Sequence, residues 1–196
     1  MAHINLILAS DDAGRAEDQV DEALAGLLAA DGPNLAPAGR RQVDASLTEL
    51  AWIDDVDPRN HVSLMLDTDM PAHWLAVTAH DEATLQQIAQ ALRDGVELRG
   101  YGELLNEAGS GAGGRGALSR LALTHDSRLA SDFPALLKHA LSSADALRRE
   151  DAVMAAHLVG DRSHVPALKE ALTRETDGGV KAMLEHTIQT LEGAPP

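Results

Sequence analysis

The stretch Ala108–Gly116, AGSGAGGRG, carries a G-x-G-x-x-G match at Gly109, Gly111 and Gly114. Glycines at that spacing hold a phosphate in one setting only. A buried strand runs into the turn, and a helix follows whose free N–H groups face the anion. The residues before it, YGELLNEAG, have adjacent leucines, two glutamates and an asparagine, with no β-branched run. The strand is missing, so this stretch is expected to be a flexible connector without a phosphate ligand. Side-chain-free residues and one arginine keep such a connector solvated.

Other residues of reactive type are more scattered. Asp67 and Asp69 close one apolar run, with His61, His73 and His80 nearby in sequence. Carboxylates and imidazoles meeting at strand ends can hold a divalent ion. Their spacing fits no helix-borne pattern such as H-E-x-x-H, and DTDMP reads as a polar turn. DDVDPRN (54–60) lacks the glycine and the distal glutamate of a calcium loop and also reads as a turn. His157 and His164 are separated by Gly160 and Asp161, which end a helix, so both are expected at the surface or in turns. The chain has no cysteine, hence no thiolate nucleophile, no disulfide and no Cys-type zinc site. No catalytic residue, metal ligand or cofactor is assigned, and the chain reads as a non-enzyme.

The elements around these residues fall into two halves. Residues 1–107 hold 20 acids against six arginines and no lysine, a net of −14, while residues 108–196 have a net of −1. A change of charge density at a glycine tract marks a domain boundary. The division expected is an acidic α+β domain over 1–107, a Gly-rich linker over 108–116 and a helical domain over 117–196.

In the first half, His3–Ala9 reads as a strand, and Val20, Leu24, Leu27 and Leu28 form a helical stripe closed by Gly32 and Pro33. Residues 41–53 fit either period, with strand favoured. Val62, Leu64 and Leu66 alternate, and HWLAVTA follows as a further β segment. DEATLQQIAQALRDG is a helix with Asp81 at its N-cap and Gly95 placed as a residue just past its end. VELRGYGELL reads as a last short strand or turn. The sum is an antiparallel sheet with about two helices on one face.

The second half repeats itself. LKHAL (Leu137–Leu141) returns as LKEAL (Leu168–Leu172), and Leu147, Asp151, Ala155, Leu158 and Gly160 return as Val180, Leu184, Ile188, Leu191 and Gly193. Such periods mean stacked helix pairs. Two units are clear, and Ala117–Phe133 reads as a degenerate capping helix. Arg148–Leu172 resembles the short HEAT-like repeats named for phycobilisome lyases. Arg148, the alanines 152, 155 and 156, Leu158, Gly160, Asp161, Val165, Pro166, Leu168 and Leu172 occupy that pattern's places. The resemblance implies an all-α array of helical hairpins that binds another protein as an adaptor or scaffold, without lyase activity. Within it, Arg148, Arg149 and Lys181 are expected to form a basic edge for the partner.

Two alternatives stand beside the adaptor. One is an acidic inhibitor or immunity-type protein occupying a basic site; the other is a small metal-dependent enzyme in the first half with the repeats for recruitment. The acidic balance and only four aromatic residues argue against a nucleic-acid partner. No apolar run reaches membrane-span length and the N-terminus lacks a basic leader segment, so a cytoplasmic protein without a membrane partner is expected.

Overall fold

The computed structural model describes residues 1–10, 12–69, 72–111 and 115–193. It divides into two compact units, Met1–Gly100 and Tyr101–Pro196, the first α+β and the second all-α. The boundary therefore precedes the glycine tract, and the residues expected to form the linker begin inside a helix of the second unit.

The first unit runs β1 (Ala2–Ile7), α1 (Ala13–Ala29), β2 (Leu35–Gln42), β3 (Leu47–Asp54), β4 (His61–Asp67), β5 (Ala72–Ala79) and α2 (Glu82–Gly95). All strand pairs are antiparallel, in the order β1-β5-β4-β3-β2. Alternation in β4 and β5 sends Val62, Leu64, Leu66, Leu75 and Val77 to one face, where they share a core with Val20 and Leu24 of α1 and Ile88 and Leu92 of α2. Each helix starts on an aspartate that accepts a main-chain N–H: Asp12 from Arg15 at 3.1 Å and Asp81 from Thr84 at 2.8 Å. The Trp52 indole of β3 donates to Asp21 of α1 at 2.7 Å, fixing that helix along the sheet.

Two details depart from the sequence reading. Residues 41–53 are extended in two strands rather than one, because the Asp44 carboxylate accepts from Ser46 and Leu47 N–H groups and turns the chain. Gly95 is the last helical residue rather than a left-handed cap. A Cβ there would sit 2.8 Å from the Ala23 Cβ, so its role is to let α1 and α2 approach closely.

After α2, Leu98 makes an isolated bridge with Leu8, and the chain enters α3 (Tyr101–Ser110). The remaining elements are α4 (Ala117–Leu123), α5 (Leu129–Leu141), α6 (Ala146–Val159), a 3-10 turn (Arg162–His164), α7 (Val165–Arg174) and α8 (Gly178–Gly193). They pair as three hairpins, α3 with α4, α5 with α6 and α7 with α8. The second helices lie in a row, α4 beside α6 beside α8, and α5 also meets α7. Tyr101 of α3 reaches α5: its hydroxyl donates to Asp132 at 2.9 Å, and the Arg128 guanidinium stands 4.1 Å over its ring. Leu137, Leu168, Val180, Leu184 and Leu191 are buried at their repeated positions. Leu158 is only half-buried and Leu147 is exposed. Gly160 takes the left-handed conformation that ends α6, with φ of 69°, and Pro166 sits in the first turn of α7.

The hairpin α3–α4 is a third unit where the sequence indicated only a cap. All seven residues of α4 are buried, and its start has no local side-chain cap. Asp151 of α6 supplies one from a distance. Its carboxylate accepts Leu118 N–H at 2.9 Å, Ser119 N–H at 3.1 Å and the Ser119 hydroxyl at 2.6 Å.

Three outcomes test this packing. Gly26, also helical but with nothing near its missing Cβ, should give about 0.5–1 kcal/mol of added stability on replacement by alanine. Gly95→Ala should instead cost about 1–2 kcal/mol, since overpacking outweighs propensity. Urea unfolding followed by the fluorescence of Trp52 and Trp74 reads both. Asp151→Ala strands two buried N–H groups and should cost the second unit about 2–4 kcal/mol, seen as loss of helical circular dichroism at lower urea.

Candidate functional site

The glycine stretch resolves chemically. Ala108, Gly109 and Ser110 are the last residues of α3, Gly111 has φ of 72°, and Gly116 has φ of 83° at the start of α4. Gly114, the last glycine of the fingerprint, lies outside the described residues. The preceding element is a helix, and the N–H groups of Leu118 and Ser119 already point at the Asp151 carboxylate. A phosphate at this helix start would have to displace the buried carboxylate that already accepts these donors.

The candidate groups of the first unit fall at two ends of the sheet, Asp67 and His73 at one and His61 and His80 at the other. His61 opens β4 and Asp67 closes it, about 20 Å apart along an extended strand. Asp67 accepts the Asp69 N–H at 2.8 Å, a local turn. Among the described residues, no group of three or more His, Asp or Glu is placed to hold a metal ion.

His80 does join a network. Its Nδ1 is 3.0 Å from Asn60 Oδ1, and its Nε2 is 2.7 Å from Asp81 Oδ2. Asn60 donates in turn to buried Asp54 at 2.9 Å. The two carboxylates flanking the ring, Asp57 and Asp81, both titrate low. The Arg59 guanidinium holds Asp57 at about 2, and the Thr84 N–H holds Asp81 below its ordinary value. A general acid needs the opposite shift. The network pins the β3–β4 turn to the start of α2.

Two histidines of the second unit also have defined settings. His164, expected at the surface or in a turn, lies in the 3-10 turn Arg162–His164 and is buried, with its ring 5.1 Å from that of Phe133, and burial lowers its pKa. His157 stacks on His186 with ring centroids 6.0 Å apart, joining α6 to α8.

The three basic residues expected to form one edge have different settings. Arg149 is consumed inside the molecule. Its Nε and Nη2 donate to the two Glu175 oxygens at 2.7 and 2.8 Å, and its Nη1 donates to the Ser143 and Ala144 carbonyls at 3.0 and 3.1 Å. The pair is out of water, with side-chain exposures of 16% and 3%. It clamps the α5–α6 turn to the α7–α8 turn, so it cannot be a free rim charge. Arg148 is half-buried and, among the described residues, reaches the Ala108 carbonyl alone, at 3.4 Å. Lys181 is exposed in the first turns of α8.

A residue the sequence reading passed over completes the pattern. Arg115 precedes Arg148 by the same interval that separates Arg148 from Lys181, so one cation stands at the start of each second helix. Arg115 and Arg148 line a cleft of about 290 Å³ together with Ala117, Leu118, Ala140 and Leu147. The signal was the repeat interval itself, hidden because Arg115 lies in the glycine tract.

The Arg149–Glu175 clamp makes acid sensitivity predictable. Hydrogen bonds from Arg149 hold the Glu175 carboxyl at about 2, below its ordinary value of 4.5. The stabilisation is therefore complete above about 4.5 and is lost as pH falls towards 2. Glu175→Gln should lower the urea midpoint of the second unit at pH 7. The gap from wild type should close between pH 4.5 and 2, read by circular dichroism at each pH.

Comparison with protein-family models, with curated proteins and with solved structures finds no significant match. Among the described residues, no helix is long and apolar enough to cross a membrane. The functional reading rests on the geometry above.

Proposed function

We propose that this chain is a non-enzymatic adaptor whose second unit, a short HEAT-like module, binds another protein. The observation that carries the reading is the row of second helices α4, α6 and α8, each with a cation at its start. Stacked hairpins of this kind bury one side of every helix against a neighbour and leave a continuous ridge for contact. Internal ties support a rigid ridge: Arg149 to Glu175, Asp151 to α4, Tyr101 to Asp132. A preformed surface loses little conformational entropy on binding.

The reading places the protein in the cytoplasm, where a chain without cysteine needs no oxidising environment. It assigns no cofactor, no nucleic acid and no membrane. Residues 1–100 hold 18 acids against six arginines. That favours, as a second reading, an acidic unit occupying a basic site on its target; steep salt dependence of the complex would mark it.

The test is quantitative cross-linking of the full chain with its cellular lysate. Wild type is compared with a form carrying Arg148→Glu and Lys181→Glu, with Arg149 untouched because its reversal would break the clamp. A partner captured by wild type and lost at least tenfold in the double variant is the expected result. Equal capture by both moves the interface off this ridge.

A further inference from the structure

The cleft at the start of α4 and α6 has an unusual division of charge. Three arginines of this acidic chain are held by carboxylates in forked geometry. Arg59 takes both oxygens of Asp57 at 2.7 and 2.8 Å, Arg128 takes both of Asp126 at the same distances, and Arg149 takes both of Glu175. Arg148 has no such partner among the described residues. Its one bond there is the long one to the Ala108 carbonyl. Gly111 leaves room for this guanidinium, since a Cβ at that position would come within 2.3 Å of it.

The acids that line the same cleft each accept main-chain N–H groups. Asp145 accepts the Leu147 N–H at 3.0 Å as the cap of α6, and Asp151 is filled by Leu118 and Ser119. Arg115, on the opposite wall, makes a 3.3 Å contact with Glu150 and is half exposed. The cleft thus places the Arg148 guanidinium, which has no carboxylate partner among the described residues, beside two aspartates that already accept main-chain N–H groups. Its walls are alanines 108, 117 and 140 with Leu118, and Leu147 stands beside the opening with 51% of its surface exposed. At about 290 Å³ it lies at the small end of ligand pockets, near 300 Å³. That volume suits one or two side chains rather than a cofactor.

We infer that this cleft binds an acidic segment of a partner protein, taking one carboxylate on Arg148 with Arg115 beside it and one apolar side chain against Leu147 and Leu118. The inference rests on the adaptor reading and gives its partner a chemistry. Forked guanidinium bonding matches a carboxylate, and the apolar walls reward a neighbouring leucine or similar residue. Lys181 extends the site. Adjacent helices in such a row stand about 9 Å apart, which is about three residues of extended chain. The segment recognised therefore carries acids three residues apart, one at Arg148 and the next towards Lys181.

The experiment titrates the full chain with a blocked, fluorescein-labelled probe peptide, Ser-Glu-Leu-Ser-Glu-Ser, and with its counterpart in which both glutamates are glutamines, by fluorescence anisotropy. The glutamate probe should bind at least tenfold more tightly than the glutamine probe, and the difference should shrink with added salt. Arg148→Gln should weaken the glutamate probe at least tenfold, and Lys181→Gln a few-fold. Leu147→Glu, an exposed change that leaves the fold's ties alone, should abolish binding by placing a carboxylate at the opening. Unchanged circular dichroism confirms that each variant is folded. Equal affinity for the two probes, no binding of the glutamate probe up to millimolar concentration, or wild-type affinity in both Arg148→Gln and Leu147→Glu overturns the inference. The cross-linking comparison separates the two levels. A captured partner that is lost with Arg148→Glu and Lys181→Glu, alongside a failed probe titration, leaves the adaptor reading standing and removes the acidic-segment chemistry. A clean probe result without any captured partner does the reverse.

Discussion

The second unit is organised around a carboxylate where its repeat has a leucine. Asp151 in α6 stands at the position of Leu184 in α8, and both are buried. A leucine there would pack against its neighbour and do nothing else. The aspartate receives two main-chain N–H groups and a hydroxyl from α4. A buried anion without donors would cost several kcal/mol, and a buried helix start without acceptors costs a comparable amount. Each removes the other's penalty. That exchange is what permits α4, only seven residues long, to be buried throughout and still end the row of second helices.

Close approach is the second constraint, and it follows from composition. With one phenylalanine, one tyrosine and two tryptophans in 196 residues, the cores are filled by leucine, valine and alanine. Small residues fill space only if backbones come near one another. Gly95 against Ala23 does this between α1 and α2. Ala152, Ala155 and Ala156 do it in α6, which is flanked by helices on both sides and is fully buried at those positions. Dispersion falls steeply with a gap of even half an ångström, so such a core tolerates little enlargement or trimming.

Local signals in the sequence were legible where one residue or one short period sets the structure. The capping aspartates, the stripes of α1 and α2, the alternation in β4 and β5, Gly160 and Pro166 all act within a few residues of themselves. β2 was not legible. It carries Pro37 and a glycine at φ of 117°, both of which argue against a strand, yet it is an edge with a bulge between them, where a missing N–H and a kink cost little. α3 was hidden because its last residues belong to the glycine tract. Arg149 was read as a rim charge because its partner, Glu175, lies on the next hairpin and nothing local announces it. The acids and histidines of the first unit were legible as residue types but not as positions. Strand direction carried His61 and Asp67 to opposite ends, and His80 found its partners in Asn60 and Asp81.

The cations of the second unit then sort by what surrounds them. Arg128 and Arg149 are forked onto carboxylates, and Arg120 lies buried beside Glu107. These charges are neutralised before any partner arrives, and their desolvation has already been offset within the fold. Arg148 differs in lining a cleft with no carboxylate partner among the described residues. Binding a carboxylate there requires no internal pair to break, only the loss of water from a guanidinium that hydrates weakly. The same carboxylate offered to Arg149 would first have to displace Glu175, held by two short bonds out of water. In a chain with nearly twice as many acids as bases, binding capacity for an anion is therefore set by which arginines the fold leaves unsatisfied, not by how many it has.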